Sequence, residues 1–282
     1  MIVNGRKLAN GILAKLKKQI AKLPRRLTVG AVLVGKNAAS ESFLKQKAKI
    51  AEILGVDFKI FRYNLEIKTE ELKKEILKLD RNSIKNNSTI NRRSSVNGII
   101  VQLPLPKHIK TNIILNAINP EKDIDALSNS PLVLAPTVEV VKFIFNKYRI
   151  NYKNILIVGR GRLVGQPIFK WLTVQEQRLK SKIKIIDINQ KNQLPKLALK
   201  ADIIISGVGK VGLINGNMIK KGAVLIDFGF SLKNRKVCGD FDFESCFKKA
   251  KLTTPVPGGM GPIMVAMLFK NLLTLSQLNR YN

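Results

Sequence analysis

"NILIVGRGRLVGQPIFKWL", residues 154–172, decides the fold. Ile155, Leu156, Ile157 and Val158 form an unbroken apolar run, the pattern of a strand buried on both faces. Glycines at 159, 161 and 165 follow, and then a helical pattern begins. A strand that ends in a glycine turn and opens a helix can receive a pyrophosphate on backbone N–H groups and the helix N-terminus. The spacing is one residue longer than GxGxxG, so a tight strand–helix turn without a ligand is the alternative reading. Arg160 and Arg162 beside the glycines suit an extra phosphate and therefore NADP. Asp187 ends the next strand, 22 residues beyond Gly165, where an acid takes the ribose hydroxyls of NAD and repels a 2′-phosphate. The two signals oppose each other, and both cofactors stay open.

Outward from this turn, "KIKIID", "ADIIISGVGK" and "GAVLIDFGF" are further short apolar strands separated by helical or loop segments. Such a succession implies a parallel sheet with crossover helices. The first half alternates in the same way. A basic helix (about 5–22) leads to the strand "LTVGAVLVG" (27–35), a helix, a strand near "VDFKIFRY", and the helix "KTEELKKEILKL" with Leu72, Ile76 and Leu79 on one face. Residues 81–97 are polar and aperiodic and read as a mobile surface loop. "GIIVQLPLP" (98–106) reads as a buried strand stopped by prolines, "TNIILNAI" and "TVEVVKFIFNKY" as helices, and "NPEKDIDAL" (119–127) as a loop. The tail, "TPVPGGMGPIMVAMLFKNLLTL" (254–275), is a Pro/Gly loop running into an apolar helix. The fold class is α/β, in two domains.

The chain has 282 residues, 50 Lys and Arg against 19 Asp and Glu, and a formal net charge of +31. Basic residues are scattered rather than gathered into a block, and aromatics are 6%. Composition bias explains this more simply than a nucleic-acid surface, with attraction of anionic ligands as a by-product. No apolar run approaches membrane-spanning length, and the N-terminus lacks a signal-peptide pattern, so the cytoplasm is expected. Cys238 and Cys246 read as free thiols, and the single histidine, His108, as a surface residue. No metal site is expected.

"ASESFLKQKAKIAEILG" (39–55) holds lysines at 45, 47 and 49. Ser40 reads as the helix N-cap. At about 100° per residue, Phe43, Lys47, Ile50 and Leu54 share a stripe, with Lys45 and Lys49 opposite. Lys47 alone interrupts an apolar face. It is either a snorkelling stem with its amine in water, or an amine at a cleft wall that can trade protons.

Four segments, "VGKNAASESFLKQK", "GIIVQLPLP" with "PEKDIDAL", "VGRGRLVGQP", and "GDFDF" with "TPVPGGMGP", together resemble the bifunctional methylenetetrahydrofolate dehydrogenase/cyclohydrolase family, from about residue 2 to 275. The resemblance implies a folate-binding catalytic domain (1–136 and 262–282), a Rossmann-type dinucleotide-binding domain (137–261), and a folate cleft between them. It implies oxidation of 5,10-methylenetetrahydrofolate with NADP or NAD, hydrolysis of the methenyl product to 10-formyltetrahydrofolate, a role in purine biosynthesis, and a homodimer. By the same resemblance Lys47 is the catalytic lysine, Gln102 the amide that positions it, and Asp125 the carboxylate that holds the pterin, with Asp123 turning its own loop. Phe43, Leu103, Pro257, Gly258 and Gly259 line the folate. Gly159, Arg160, Gly161, Gly165, Asp187, Gly229 and Phe230 face the cofactor.

The chain departs from the family pattern at several positions. Phe43 stands for a tyrosine, which removes a hydroxyl near the lysine. Ala126 stands for a glycine, Gly161 for a serine, and Met264 for a threonine. Ile188 occupies a position where a phosphate-binding residue often stands. These changes bear on hydrolysis and cofactor choice. The rival readings are an NAD-using dehydrogenase without hydrolysis, a catalytically idle dinucleotide-binding module, and a basic nucleic-acid-binding protein on a Rossmann scaffold.

Overall fold

The computed structural model describes residues 1–81, 96–151, 153–179, 182–234 and 236–278. Most of the polar segment read as a loop, 82–95, lies outside the described residues. The elements in the first half are α1 (Gly5–Ile20), β1 (Thr28–Val34), α2 (Ala38–Leu54), β2 (Asp57–Tyr63), α3 (Thr69–Arg81), β3 (Gly98–Val101) and α4 (Thr111–Leu115). The second half holds α5 (Pro136–Lys147), β4 (Asn154–Val158), α6 (Gly165–Leu179), β5 (Lys182–Ile186), α7 (Leu194–Ala198), β6 (Ile203–Ser206) and β7 (Val224–Asp227). It ends with β8 (Ser231–Lys233), β9 (Lys236–Cys238), α8 (Phe243–Phe247), β10 (Leu252–Thr253) and α9 (Met260–Leu278).

The chain divides into two compact units, residues 12–136 with 265–282 and residues 1–11 with 137–264. The sequence reading grouped residues 1–11 with 12–136. The structure groups them with the dinucleotide unit because the chain start adds to its sheet edge: Ile2 bridges Thr253 in parallel, and Val3 N–H donates to Thr253 O at 2.9 Å.

In the unit of 12–136 and 265–282, three strands run in parallel in the order β2-β1-β3. Every residue of β1 and β3 is buried, as their continuous apolar runs require. β3 ends at Val101, short of the predicted 106, because Pro104 and Pro106 have no N–H for a ladder. Leu72, Ile76 and Leu79 of α3 pack on Val32, Ile99 and Val101 in one core. A Cβ at Gly98 would sit 2.8 Å from methyl groups of Ile124 and of Leu272 of α9, so a larger residue there would push these side chains apart. α9 is long and apolar enough to cross a membrane by length and composition alone, contrary to the sequence expectation. Its Leu268, Phe269, Leu272 and Leu273 are buried, which marks a core helix.

In the unit of 1–11 and 137–264, five parallel strands lie in the order β10-β7-β6-β4-β5. Counted within the unit, this is the doubly wound order 2-1-3-4-5, whose direction of winding reverses between β4 and β6. The glycine turn leaves β4 at that reversal, which is where open α/β sheets hold ligands. Ile157, Ile204, Ile205 and Leu225 fill the sheet and are fully buried. The antiparallel pair of β8 and β9, absent from the sequence reading, follows β7.

Candidate active site

α2 carries the lysines. Its N-cap is Asn37, whose side chain accepts from Ser40 N–H at 3.0 Å, so Ser40 lies inside the first turn and not at the cap. Gly55 ends the helix at φ 72°, a left-handed conformation that glycine adopts without strain. The buried face of α2 is Ser40, Leu44, Ala51 and Leu54. At about 100° per residue Lys47 falls inside that stripe, between Leu54 and Ala51. Phe43, Lys47 and Ile50 are half-buried, whereas Lys45 and Lys49 are exposed. The Glu41 carboxylate pairs with Arg62 of β2, which ties the helix start to the sheet.

Lys47 Nζ donates to Gln102 Oε1 at 3.2 Å. Gln102 is buried directly after β3, its backbone N–H on Val32 O at 2.9 Å. Its side-chain Nε2 donates to Leu103 O at 2.9 Å, which leaves the amide oxygen turned to the ammonium. Asp125 is half-buried in the loop that follows Asp123. Desolvation holds its carboxyl above the usual carboxylate range; the Lys47 ammonium pulls it down and Asp123 pushes it further up. Lys47, Gln102 and Asp125 therefore gather in one unit, with Phe43 one turn before Lys47 on α2.

The loop that carries Asp125 is held on three sides. Asp123 Oδ2 accepts from Ser128 N–H at 2.7 Å. The buried Lys122 Nζ donates to Asp80 O at 2.9 Å and pairs with its carboxylate at 3.2 Å. Asn271 of α9 donates to Ile124 O at 3.0 Å and Leu134 O at 2.9 Å. Sequence reading missed Lys122 and Asn271; for Asn271 the available signal was an amide amid the apolar residues of α9. Ala126 sits at φ 55°, a left-handed conformation that glycine would adopt with less strain than alanine.

In the other unit the glycine turn is built by close approach. Gly159 has φ 104°, and a Cβ on Gly165 would lie 1.8 Å from Gly159 O. Gly161 has open space, with only Gly207 O at 3.9 Å from its Cβ position. The backbone can thus approach a pyrophosphate at the start of α6, and these residues fit a dinucleotide. Arg160 Nη2 donates to Ile185 O at 3.3 Å, placing a guanidinium beside the end of β5. Asp187 caps the following 3₁₀ turn, its Oδ1 accepting from Asn189 N–H at 3.0 Å. Gly229 is buried and Phe230 exposed after β7. Pro257 follows a cis peptide bond, Gly258 has φ 100°, and a Cβ on Gly259 would meet Pro255 O at 2.4 Å. Among the described residues no cluster of His, Cys, Asp or Glu could hold a metal ion. Cys238 and Cys246 are free thiols, and burial pushes the Cys246 thiol up to about 11.

Residues 3–125 match the catalytic-domain model of tetrahydrofolate dehydrogenase/cyclohydrolase, and residues 135–280 match the NAD(P)-binding-domain model of the same enzymes. The chain belongs to the tetrahydrofolate dehydrogenase/cyclohydrolase family. A family relative, the bifunctional protein FolD of Sulfurihydrogenibium sp., is 35% identical over 98% of this chain and 97% of its own length. Within the family's solved structures, the bifunctional FolD of Campylobacter jejuni superposes with a TM-score of 0.86 at 31% identity over 99% of both chains. The Trypanosoma brucei FolD, complexed with NADP cofactor and inhibitor, gives 0.88 at 27% identity over 100% of this chain and 99% of its own. The family's two-domain α/β fold with parallel sheets is the fold found here.

Proposed function

We propose that this protein oxidises 5,10-methylenetetrahydrofolate to the 5,10-methenyl form with a nicotinamide cofactor, then hydrolyses that product to 10-formyltetrahydrofolate. The observation that carries the reading is the Lys47–Gln102 hydrogen bond with Asp125 in electrostatic reach. It sits in a chain that aligns almost end to end with bifunctional relatives.

The bound cofactor supplies the hydride acceptor for the first step. Gly159, Gly161 and Gly165 would hold its pyrophosphate on open backbone, and Gly229 and Phe230 are the further residues that would face it. On the folate side, the Asp125 carboxylate accepts from the pterin's amino group and ring nitrogen. Its partial burial strengthens those bonds. The Phe43 ring stacks on the flat ring system. In the second step water adds to the methenyl carbon and must lose both of its protons; one is taken up by the ring nitrogen as its bond to carbon breaks, and the other leaves as the formyl carbonyl forms. Lys47 Nζ, steered by Gln102, moves these protons; one proton is released overall.

NADP is the proposed partner, because Arg160 rests at the end of β5, where a 2′-phosphate would be met. NAD is the second reading, favoured by Asp187 at the same strand end. The proposed homodimer and link to purine biosynthesis rest on the family resemblance. Incubating the purified protein with methylenetetrahydrofolate and each cofactor in turn, following reduced cofactor and formyl product, tests the whole reading. Formation of neither product would overturn it, and faster turnover with NAD would reverse the cofactor choice.

A further inference from the structure

Two carboxylates with no part in the chemistry above are buried together beneath the cofactor-facing loops. Asp227 ends β7, Asp240 precedes α8, and both are almost wholly inaccessible, at 4% and 0%. Asp240 Oδ2 accepts from Ser206 Oγ and from Val208 N–H, and its Oδ1 from Lys210 N–H, each at 2.7 Å. Asp227 Oδ1 accepts from Gly229 N–H at 2.7 Å and Asp240 N–H at 3.2 Å, and its Oδ2 from Phe241 N–H at 3.1 Å. Thr254 Oγ1 accepts from Asp227 N–H at 2.8 Å.

The space is shaped around these two side chains. A Cβ on Gly229 would lie 2.3 Å from Asp240 Oδ1, and one on Gly239 would lie 2.1 Å from Asp227 Oδ2. Burying one carboxylate is costly and burying two together more so. Neutral side chains could hold a loop without that cost, so the arrangement calls for a function.

Its geometry suggests one. The N–H groups of Val208, Lys210 and Gly229 point to the carboxylates. In a planar trans peptide the carbonyls of Gly207, Gly209 and Phe228 therefore point the other way. Gly207 O faces the glycine turn, 3.1 Å from the place a Cβ on Gly159 would occupy. Asp240 thus sets one wall of the crevice where the sheet reverses its winding. Asp227 sets the backbone of Gly229 and Phe230 beside it.

We propose that Asp227 and Asp240 are positioning residues for the nicotinamide dinucleotide, acting through the backbone of 207–210 and 228–230. This rests on the dinucleotide reading of the unit given above, but not on the folate chemistry. The test is cofactor affinity, measured by NADPH fluorescence titration of the full chain, beside the KM for NADP and the rate of methenyl hydrolysis. Asp240→Asn removes one acceptor from Lys210 N–H and should raise the NADPH Kd and the NADP KM at least tenfold. Hydrolysis of methenyltetrahydrofolate, whose Lys47, Gln102 and Asp125 lie in the other unit, should stay within twofold.

Ser206→Ala, which deletes one hydroxyl donor without changing the shape, should raise the Kd about threefold. It decides the matter if Asp240→Asn does not fold. An unchanged Kd in the folded variant, or loss of both activities in proportion to the folded fraction, would overturn the proposal. A wild-type protein that binds NADPH but turns over no folate would sink the enzymatic reading and leave this proposal to the titration. Failure of the wild type to bind either cofactor would overturn this proposal as well.

Discussion

Replacing Lys47 by methionine separates the chemistry of the amine from the packing of its stem. Methionine keeps an unbranched apolar chain on the buried face of α2 and removes the ammonium. The structural loss is one hydrogen bond to Gln102 Oε1, at 3.2 Å and partly buried. Such a bond from a charged group contributes about 1.5–3 kcal/mol net, or about 3–12 °C in Tm at about 2–4 °C per kcal/mol. The catalytic loss is larger. A positioned proton-transfer group contributes about 10²–10⁴ in rate, which is about 2.7–5.5 kcal/mol of barrier. Hydrolysis should therefore fall at least about a hundredfold while the fold survives. Folate affinity, which depends on Asp125 and the ring contacts, should change little at low pH. At higher pH the variant should retain a protonated Asp125 further up the scale, since the ammonium that pulls its pKa down is gone. The assay is the absorbance decay of methenyltetrahydrofolate, corrected for its spontaneous hydrolysis, with folate binding followed by fluorescence quenching and Tm by calorimetry. A hydrolysis rate within threefold of the parent, with only Tm lowered, would refute the role given to Lys47.

Phe43→Tyr restores a hydroxyl one turn before Lys47 and should raise the ratio of hydrolase to dehydrogenase rates; a flat or falling ratio counts against a proton-handling role for that hydroxyl. Ala126→Gly relieves a left-handed φ of 55°. The relief is about 1–2 kcal/mol, offset by about 0.5–1 kcal/mol of glycine's unfolded-state entropy. Denaturant unfolding should thus show a gain of between zero and about 1.5 kcal/mol, and a loss would contradict the strain argument. Burial and the neighbouring Asp240 raise the Asp227 carboxyl from 3.8 to about 7, so the folded state holds a proton there that the unfolded state gives up. Its contribution to stability is present below about pH 4 and is lost as pH rises towards 7, at up to about 1.4 kcal/mol per pH unit. Asp227→Asn should flatten that part of the stability–pH curve, and identical slopes in the two proteins would reject the assignment.

How much of this was legible in the chain varies with the range of the interaction. The strand–turn–helix at 154–172 was readable because strand burial and a glycine turn are local, written in neighbouring residues. Helix α3 was readable for the same reason, since Leu72, Ile76 and Leu79 repeat at helical spacing. Lys47 could be seen as a cation on an apolar face, but its partner could not, because Gln102 lies 55 residues away and meets it only once β3 pairs with β1. The N-cap of α2 was misplaced by three residues, since both Asn37 and Ser40 carry capping side chains and only backbone dihedrals choose between them.

Sequence by itself determined the two-domain α/β class, the glycine turn and the family, because periodicity and motif order survive without coordinates. Tertiary structure alone decided which acids are buried. Asp227 falls in the strand reading "GAVLIDFGF" and Asp240 in "GDFDF", with nothing local to mark either acid as buried, and the donors that enclose them come from Ser206 of β6, the loops after β6 and β7, and the segment before α8. A carboxylate's burial depends on what other segments bring to it, and that assembly exists only in the folded chain.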